Sequence, residues 1–150
     1  MAHLKETMFI DAPVEKLDRI VGDPRQFSNF WEGASEPSKV EGDGGPGTVF
    51  EFTQLMMGVP LHETQRTVEE RHDPDGSTHW RWEFEGTSSG WVTCDHVPKD
   101  EGAEITTEFD YTVPGSVVGK MADRLFIERR EARGFHHSLE NLKHLAETSD

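Results

Sequence analysis

Cysteine is nearly absent. Cys94 is the one thiol in 150 residues, so no internal disulfide can form and no zinc site can be built on cysteines. A reducing cytoplasm is the expected compartment. Basic charge is also scarce: 15 Lys and Arg stand against 29 Asp and Glu, a net charge of −14. That balance argues against nucleic acid as a partner, since a phosphate backbone has to be neutralised by Lys and Arg. It also disfavours anionic membrane surfaces. Two readings of the acidity stay open, a self-repelling soluble surface or a salt-rich cytoplasm. Long hydrophobic runs are missing as well. No window resembles a membrane span, and Met1–Ile10 lacks the basic and apolar regions of a signal peptide, so no integral membrane association is expected. Internal repeats and low-complexity tracts are absent.

What the chain does hold is aromatic bulk. Four Trp and nine Phe bury about 150–250 Å² each, which compensates for a hydrophobic content of only 33%. A chain of this length folds as one domain, 1–150, burying roughly 70% of its unfolded surface. Leu4–Ile10 reads as a strand. Asp11-Ala12-Pro13 reads as a helix start with Asp11 as N-cap, followed by a helix over Val14–Val21 and a second over Arg25–Phe30. Six strands follow, at Ser35–Glu41, Thr48–Met57, Leu61–His72, Thr78–Glu85, Gly90–Val97 and Ala103–Thr112. Glu41–Gly47 forms a Gly-rich loop, and the links Met57–Pro60, Asp73–Gly76 and Pro98–Gly102 are short. Short links force antiparallel neighbours, because parallel strands need a long crossover.

Alternation within the strands gives one wet and one dry face. Phe50 and Phe52 share a face, as do Trp80, Trp82 and Phe84, and Ile105, Thr107, Phe109 and Tyr111. The strand 90–97 is ambiguous, with Trp91, Thr93 and Asp95 opposing Val92, Cys94 and His96. Leu61–His72 has no clear phase.

The chain then ends on one long helix-like stretch, Ser116–Glu147, with Ser116 as N-cap. At about 100° per residue, Val117, Val118, Met121, Leu125, Ala132, Phe135, Leu139, Leu142 and Ala146 form a single apolar stripe. A lone long helix needs a partner, and a curved antiparallel sheet wrapped around it tends to leave a pocket rather than a solid core. Glu128 falls inside the stripe between Leu125 and Ala132. A carboxylate there is hydrated, paired with Arg124, or serves as a polar anchor within a cavity, where burial would raise its pKa. Phe126 falls off the stripe and fits either a bend in the helix or a docked partner.

Motifs that carry chemistry are missing. His136, Glu140 and His144 have ligand spacing but point away from Phe135, Leu139 and Leu142, so they read as a solvated face and no metal is expected. Thr87-Ser88-Ser89 between glycines is not a nucleophile elbow, and Gly42–Gly47 lacks the Gly-Lys-Ser/Thr of a P-loop.

The segments Ile10-Asp11-Ala12-Pro13-Val14-Glu15, Asp23-Pro24 through Phe30-Trp31, Gly47-Thr48, and Tyr111–Glu147 with Pro114-Gly115 and Ser138–Lys143 resemble the START/Bet v 1-like superfamily, in its polyketide cyclase/dehydrase-like (SRPBCC) branch. The resemblance spans nearly the whole chain. It implies an α+β helix-grip fold, a curved antiparallel sheet of about seven strands around a long C-terminal helix, with a deep apolar cavity. It transfers no catalytic residue and no cofactor. The expected function is binding of a hydrophobic small molecule, a lipid, quinone or polyketide-like compound. The expected walls are Phe50, Phe52, Trp80, Trp82, Phe84, Phe109 and Tyr111, roofed by Met121, Leu125 and Phe135, with Glu128 as polar anchor. Two alternatives stand beside it: an aromatase/cyclase-like enzyme using a cavity acid, base or arginine, and a protein-interaction module of the chaperone-activator type with a filled core.

Overall fold

The computed structural model describes residues 2–115, 117–118 and 123–149. Seven strands form one antiparallel sheet in the order β1-β7-β6-β5-β4-β3-β2. They are β1 (Ala2–Ile10), β2 (Ser38–Glu41), β3 (Val49–Met56), β4 (Val59–His72), β5 (Thr78–Gly86), β6 (Ser89–Lys99) and β7 (Gly102–Tyr111). From β2 to β7 each strand pairs with its successor, as the short links require, and β1 closes onto β7 in register from Ala2↔Tyr111 to Ile10↔Ala103. The chain therefore leaves one edge of the sheet after β1 and re-enters at the other. The connection is made by α1 (Val14–Val21), a 3₁₀ turn at Pro24–Gln26 and α2 (Phe27–Phe30). A register shift between Thr67 and Glu69 interrupts the β4–β5 ladder. Such a bulge bends its strand and increases twist, which suits a sheet that must curl.

The helix ends depart from the sequence reading in instructive ways. Pro13, not Asp11, occupies the N-cap of α1. The Asp11 amide instead donates to the Glu147 carboxylate at 2.8 Å, tying the start of α1 to the last turn of the chain. The final helix, α3, covers Arg124–Thr148 with Asp123 as N-cap, its carboxylate accepting from the Phe126 amide at 2.8 Å. Ser116 lies outside the described residues. Val117 is fully buried but belongs to a turn, its amide bonded to the Pro114 carbonyl. Val117 is thus core contributed by a turn, and α3 starts later than the expected helix. α3 continues through Gly134 to Thr148.

α3 packs its backbone chiefly against α2, β1 and α1. Its buried residues are Ile127, Phe135, Ser138, Leu139, Leu142 and Ala146. Because it rests on one edge of the sheet and on the connecting helices, it bridges the concave face rather than lying flat against the middle strands. No described helix is long and apolar enough to cross a membrane.

Candidate ligand cavity

The space beneath α3 is a cavity of about 610 Å³, inside the range of about 300–1,000 Å³ usual for small-molecule sites. The sheet supplies Phe52, Trp82, Phe84, Phe109 and Tyr111; α3 supplies Phe135, Leu139 and Leu142. Phe27 and Phe30 of α2, with Trp31 just after it, complete the apolar wall. Trp31 meets Phe109 edge-on at 5.3 Å between ring centres, and Phe109 stacks on Tyr111 at 4.8 Å. Exposed residues around the opening are Leu55 near the end of β3, Gly58 of the β3–β4 turn, Glu32 and Gly33 after α2, and Arg130, Arg133 and His137 of α3. The Glu41–Gly47 loop lines none of it. Gly44 is instead pressed so closely on Gly22 that a Cβ would fall 1.9 Å from the Gly22 carbonyl oxygen.

Six of the residues expected from sequence line this cavity: Phe52, Trp82, Phe84, Phe109, Tyr111 and Phe135. Phe50 is buried but packs behind the wall, 5.3 Å from Phe27. Trp80 stacks on Trp82 at 5.6 Å and donates its indole N–H to Asp18, away from the cavity. Met121 lies outside the described residues. Leu125 is not a roof residue: it is 57% exposed. Glu128 is half-buried and does not line the cavity. The reason for both corrections is the same. The stripe counts Leu125 and leaves out Ile127 and Ser138, so its centre is rotated toward Leu125 from the buried side of α3. At about 100° per residue that rotation replaces Glu128 by Glu131, which does line the cavity.

Sequence reasoning also missed the polar wall. β4 turns Leu61, Glu63, Gln65 and Thr67 inward, all buried. A strand that carries polar residues on its core face has no readable hydrophobic phase, which is why this one had none. Glu63 Oε1 accepts from the Ser88 amide at 2.9 Å and from the Ser88 hydroxyl at 2.8 Å. Ser88 can reach because the chain turns tightly at Gly86, at φ +148°, where a Cβ would sit 2.1 Å from the His62 carbonyl oxygen. Burial raises the Glu63 pKa above the usual carboxylate value, against the opposing Ser88 bonds. Burial also pushes Glu131 up, to about 7, with the Arg130 guanidinium pulling the other way. The Tyr111 phenol is held above its ordinary value by burial and then by the Glu131 and Glu128 carboxylates.

Residues 1–147 match the family described as polyketide cyclase/dehydrase and lipid transport. The chain belongs to that family. Its fold is the START/Bet v 1-like helix grip. Among solved structures it resembles a STAR-related lipid transfer protein from Xanthomonas axonopodis, with a TM-score of 0.74 at 10% identity over 95% of this chain and 84% of that one. A protein from Thermus thermophilus gives a TM-score of 0.72 at 20% identity, over 99% of this chain and 100% of that one. The Zhui aromatase/cyclase from a Streptomyces species gives 0.66 at 16% identity over 97% and 93%. At such identities the likeness concerns the fold alone. No curated protein matches the chain.

This member of the polyketide cyclase/dehydrase and lipid transport family also holds a charged cluster where α1 meets the sheet. Asp18 accepts from Thr78 Oγ1 at 2.7 Å and Trp80 Nε1 at 3.0 Å, and lies 2.8 Å from His96 Nδ1. His96 Nε2 lies 3.1 Å from Cys94 Sγ, and Cys94 lines the cavity. Burial would raise the Asp18 pKa, but hydrogen bonds from His96, Thr78 and Trp80 outweigh it and hold the carboxyl low. Burial would likewise lower His96. The Cys94 thiolate, when formed, and the Asp18 carboxylate reverse this and hold the imidazole up at about 10. A buried ion pair of this kind fixes α1 on the sheet, and removing one partner leaves an uncompensated charge. Among the described residues no three His, Cys, Asp or Glu side chains gather as metal ligands do. His136 pairs with Glu6 of β1 and with Glu140 at 3.3 Å, on an exposed face.

Proposed function

We propose that this chain binds an apolar small molecule, a lipid, quinone or polyketide-like compound, in the cavity between sheet and α3. The observation that carries this reading is the cavity itself: about 610 Å³ walled by rings that pack on one another but leave the space beneath α3 unfilled. Burying about 300 Å² of apolar ligand surface there would contribute about 7 kcal/mol, equivalent to about 10 μM before the costs of immobilisation and to weaker binding after them. The unfilled space also counts against the interaction-module alternative, which needs a packed core. Titration with a neutral apolar dye such as Nile red tests the proposal. Saturable uptake at one dye per chain, with quenching of Trp fluorescence, is expected; absence of uptake by the folded protein would refute it.

A second reading, aromatase/cyclase-like turnover, draws on Glu131. A cavity carboxyl with a pKa of about 7 is poised to give or take a proton near neutral pH. Turnover of a poly-β-ketone that Glu131→Gln abolishes, with binding retained, would favour it.

A further inference from the structure

Three side-chain atoms buried in the cavity wall have no hydrogen-bond partner among the described residues. One, Gln54 Oε1, belongs to a half-buried amide whose Nε2 is held by the Glu32 carbonyl; the other two are Glu63 Oε2 and Tyr111 Oη. Their residues are 3% and 1% exposed. Both stand at the same end of the sheet, beside the β5–β6 hairpin, since Glu63 is paired with Gly86 and Tyr111 with Gly90. Resting on the reading that the cavity holds a small molecule, we propose that it selects uncharged apolar ligands bearing a carbonyl oxygen over apolar carboxylates, with Glu63 and Tyr111 as the residues that read that oxygen.

The chemistry follows from which atoms are free. Glu63 Oε1 is committed to two Ser88 donors, so the side chain is fixed and only Oε2 remains. Burial raises the pKa of this carboxyl, and with Oε1 already accepting twice, a proton it takes up sits on Oε2. The Tyr111 phenol, kept protonated by burial and the nearby Glu131 and Glu128 carboxylates, offers a second O–H. Buried donors left unpaired are costly, and a carbonyl oxygen, with two lone pairs and no proton, relieves them. A ligand carboxylate pushed into the same wall would face the Glu63 and Glu131 carboxyls, which line the cavity. The cations that line the cavity, Arg130 and Arg133, are exposed at its opening. An anionic ligand would therefore sit the other way round, with its tail inward and its head at the rim. The two orientations give opposite dependence on mutation.

The experiment is displacement of Nile red by 2-decanone and by decanoate at pH 7.5, with circular dichroism as the control for folding. Binding of 2-decanone at least tenfold tighter than decanoate is expected. Tyr111→Phe, which removes only the hydroxyl, and Glu63→Leu should each reduce that preference by about tenfold, the worth of one hydrogen bond. Glu63→Gln, which keeps a donor, should retain most of it. Equal or tighter binding of decanoate, lost on Arg130→Gln or Arg133→Gln, would overturn the inference while leaving the cavity's binding role intact. So would a ketone preference that Tyr111→Phe and Glu63→Leu leave unchanged. Folded protein that takes up neither dye nor ketone would overturn the binding role as well.

Discussion

Gly134 gives a sharp test of the space under α3. It sits in the interior of a 25-residue helix and lines the cavity. A Cβ built there would have one heavy-atom neighbour within reach, Glu32 Cγ at 4.0 Å, an ordinary contact. Glycine in a helix interior costs about 1 kcal/mol relative to alanine, because it gives up more backbone freedom on folding. With no clash to offset the gain, Gly134→Ala should stabilise the protein by about 0.5–1 kcal/mol, raising Tm by roughly 1–4 °C. Gly134→Leu sends a branched side chain into the cavity and should preserve the fold while reducing Nile red uptake. The assays are thermal unfolding by circular dichroism and dye titration on the same three proteins. A fall in Tm for Gly134→Ala would mean that the helix is held more tightly against its surroundings than the open geometry allows. Full dye uptake by Gly134→Leu would mean that the dye binds elsewhere. Either result would refute the reasoning.

Other expectations follow from the titrating groups and the helix cap. The folded pKa of His96 is raised from 6.5 to about 10, so its stabilisation is complete below pH 6.5 and is lost as pH rises toward 10, at up to about 1.4 kcal/mol per pH unit. Urea unfolding across that window should show the decline, and His96→Gln should flatten it; an unchanged slope would contradict the pairing with Cys94 and Asp18. Asp18 acts at the other end, its contribution fading only as pH falls through its lowered pKa, below 3.8. The raised pKa of Glu131, from 4.5 to about 7, means that ionising it costs stability as pH climbs between those values. Glu131→Gln should therefore stabilise the protein at pH 8 but not at pH 4, and equal effects at both would place Glu131 in water. Asp123→Ala removes the N-cap of α3 and should cost about 1 kcal/mol, read as a lower urea midpoint; no loss would move the helix start elsewhere.

The fold was legible because its signals were local. Alternation in Trp80-Arg81-Trp82-Glu83-Phe84 and in Ile105–Tyr111 marked the inner face, and short turns dictated a meander. The polar half of the cavity was not legible for a physical reason. Glu63, Gln65 and Thr67 face inward, so β4 presents no apolar period, and only its neighbours in the sheet reveal its phase. Glu131 was hidden by an error in helix phase. The stripe drawn through Leu125 and Ala132 left out Ile127 and Ser138, both buried, and was therefore rotated toward Leu125 and Glu128. Phe27, Phe30 and Trp31 did carry a signal, aromatic residues at i, i+3 and i+4 at the end of the connecting helices. It is the crossing of that segment from one sheet edge to the other that brings Trp31 against Phe109 and Phe135, and Phe27 against Phe50 and Phe52. The Asp18–His96–Cys94 contact joins residues far apart in sequence, and nothing local announces it.

The most direct test of the binding function is native mass spectrometry of protein purified gently from its own host, repeated after solvent extraction. The account predicts a non-covalent adduct of one apolar molecule per chain, released into the extract and displaced by 2-decanone. Protein that is empty from its host, and that stays empty when offered Nile red and 2-decanone, would contradict it.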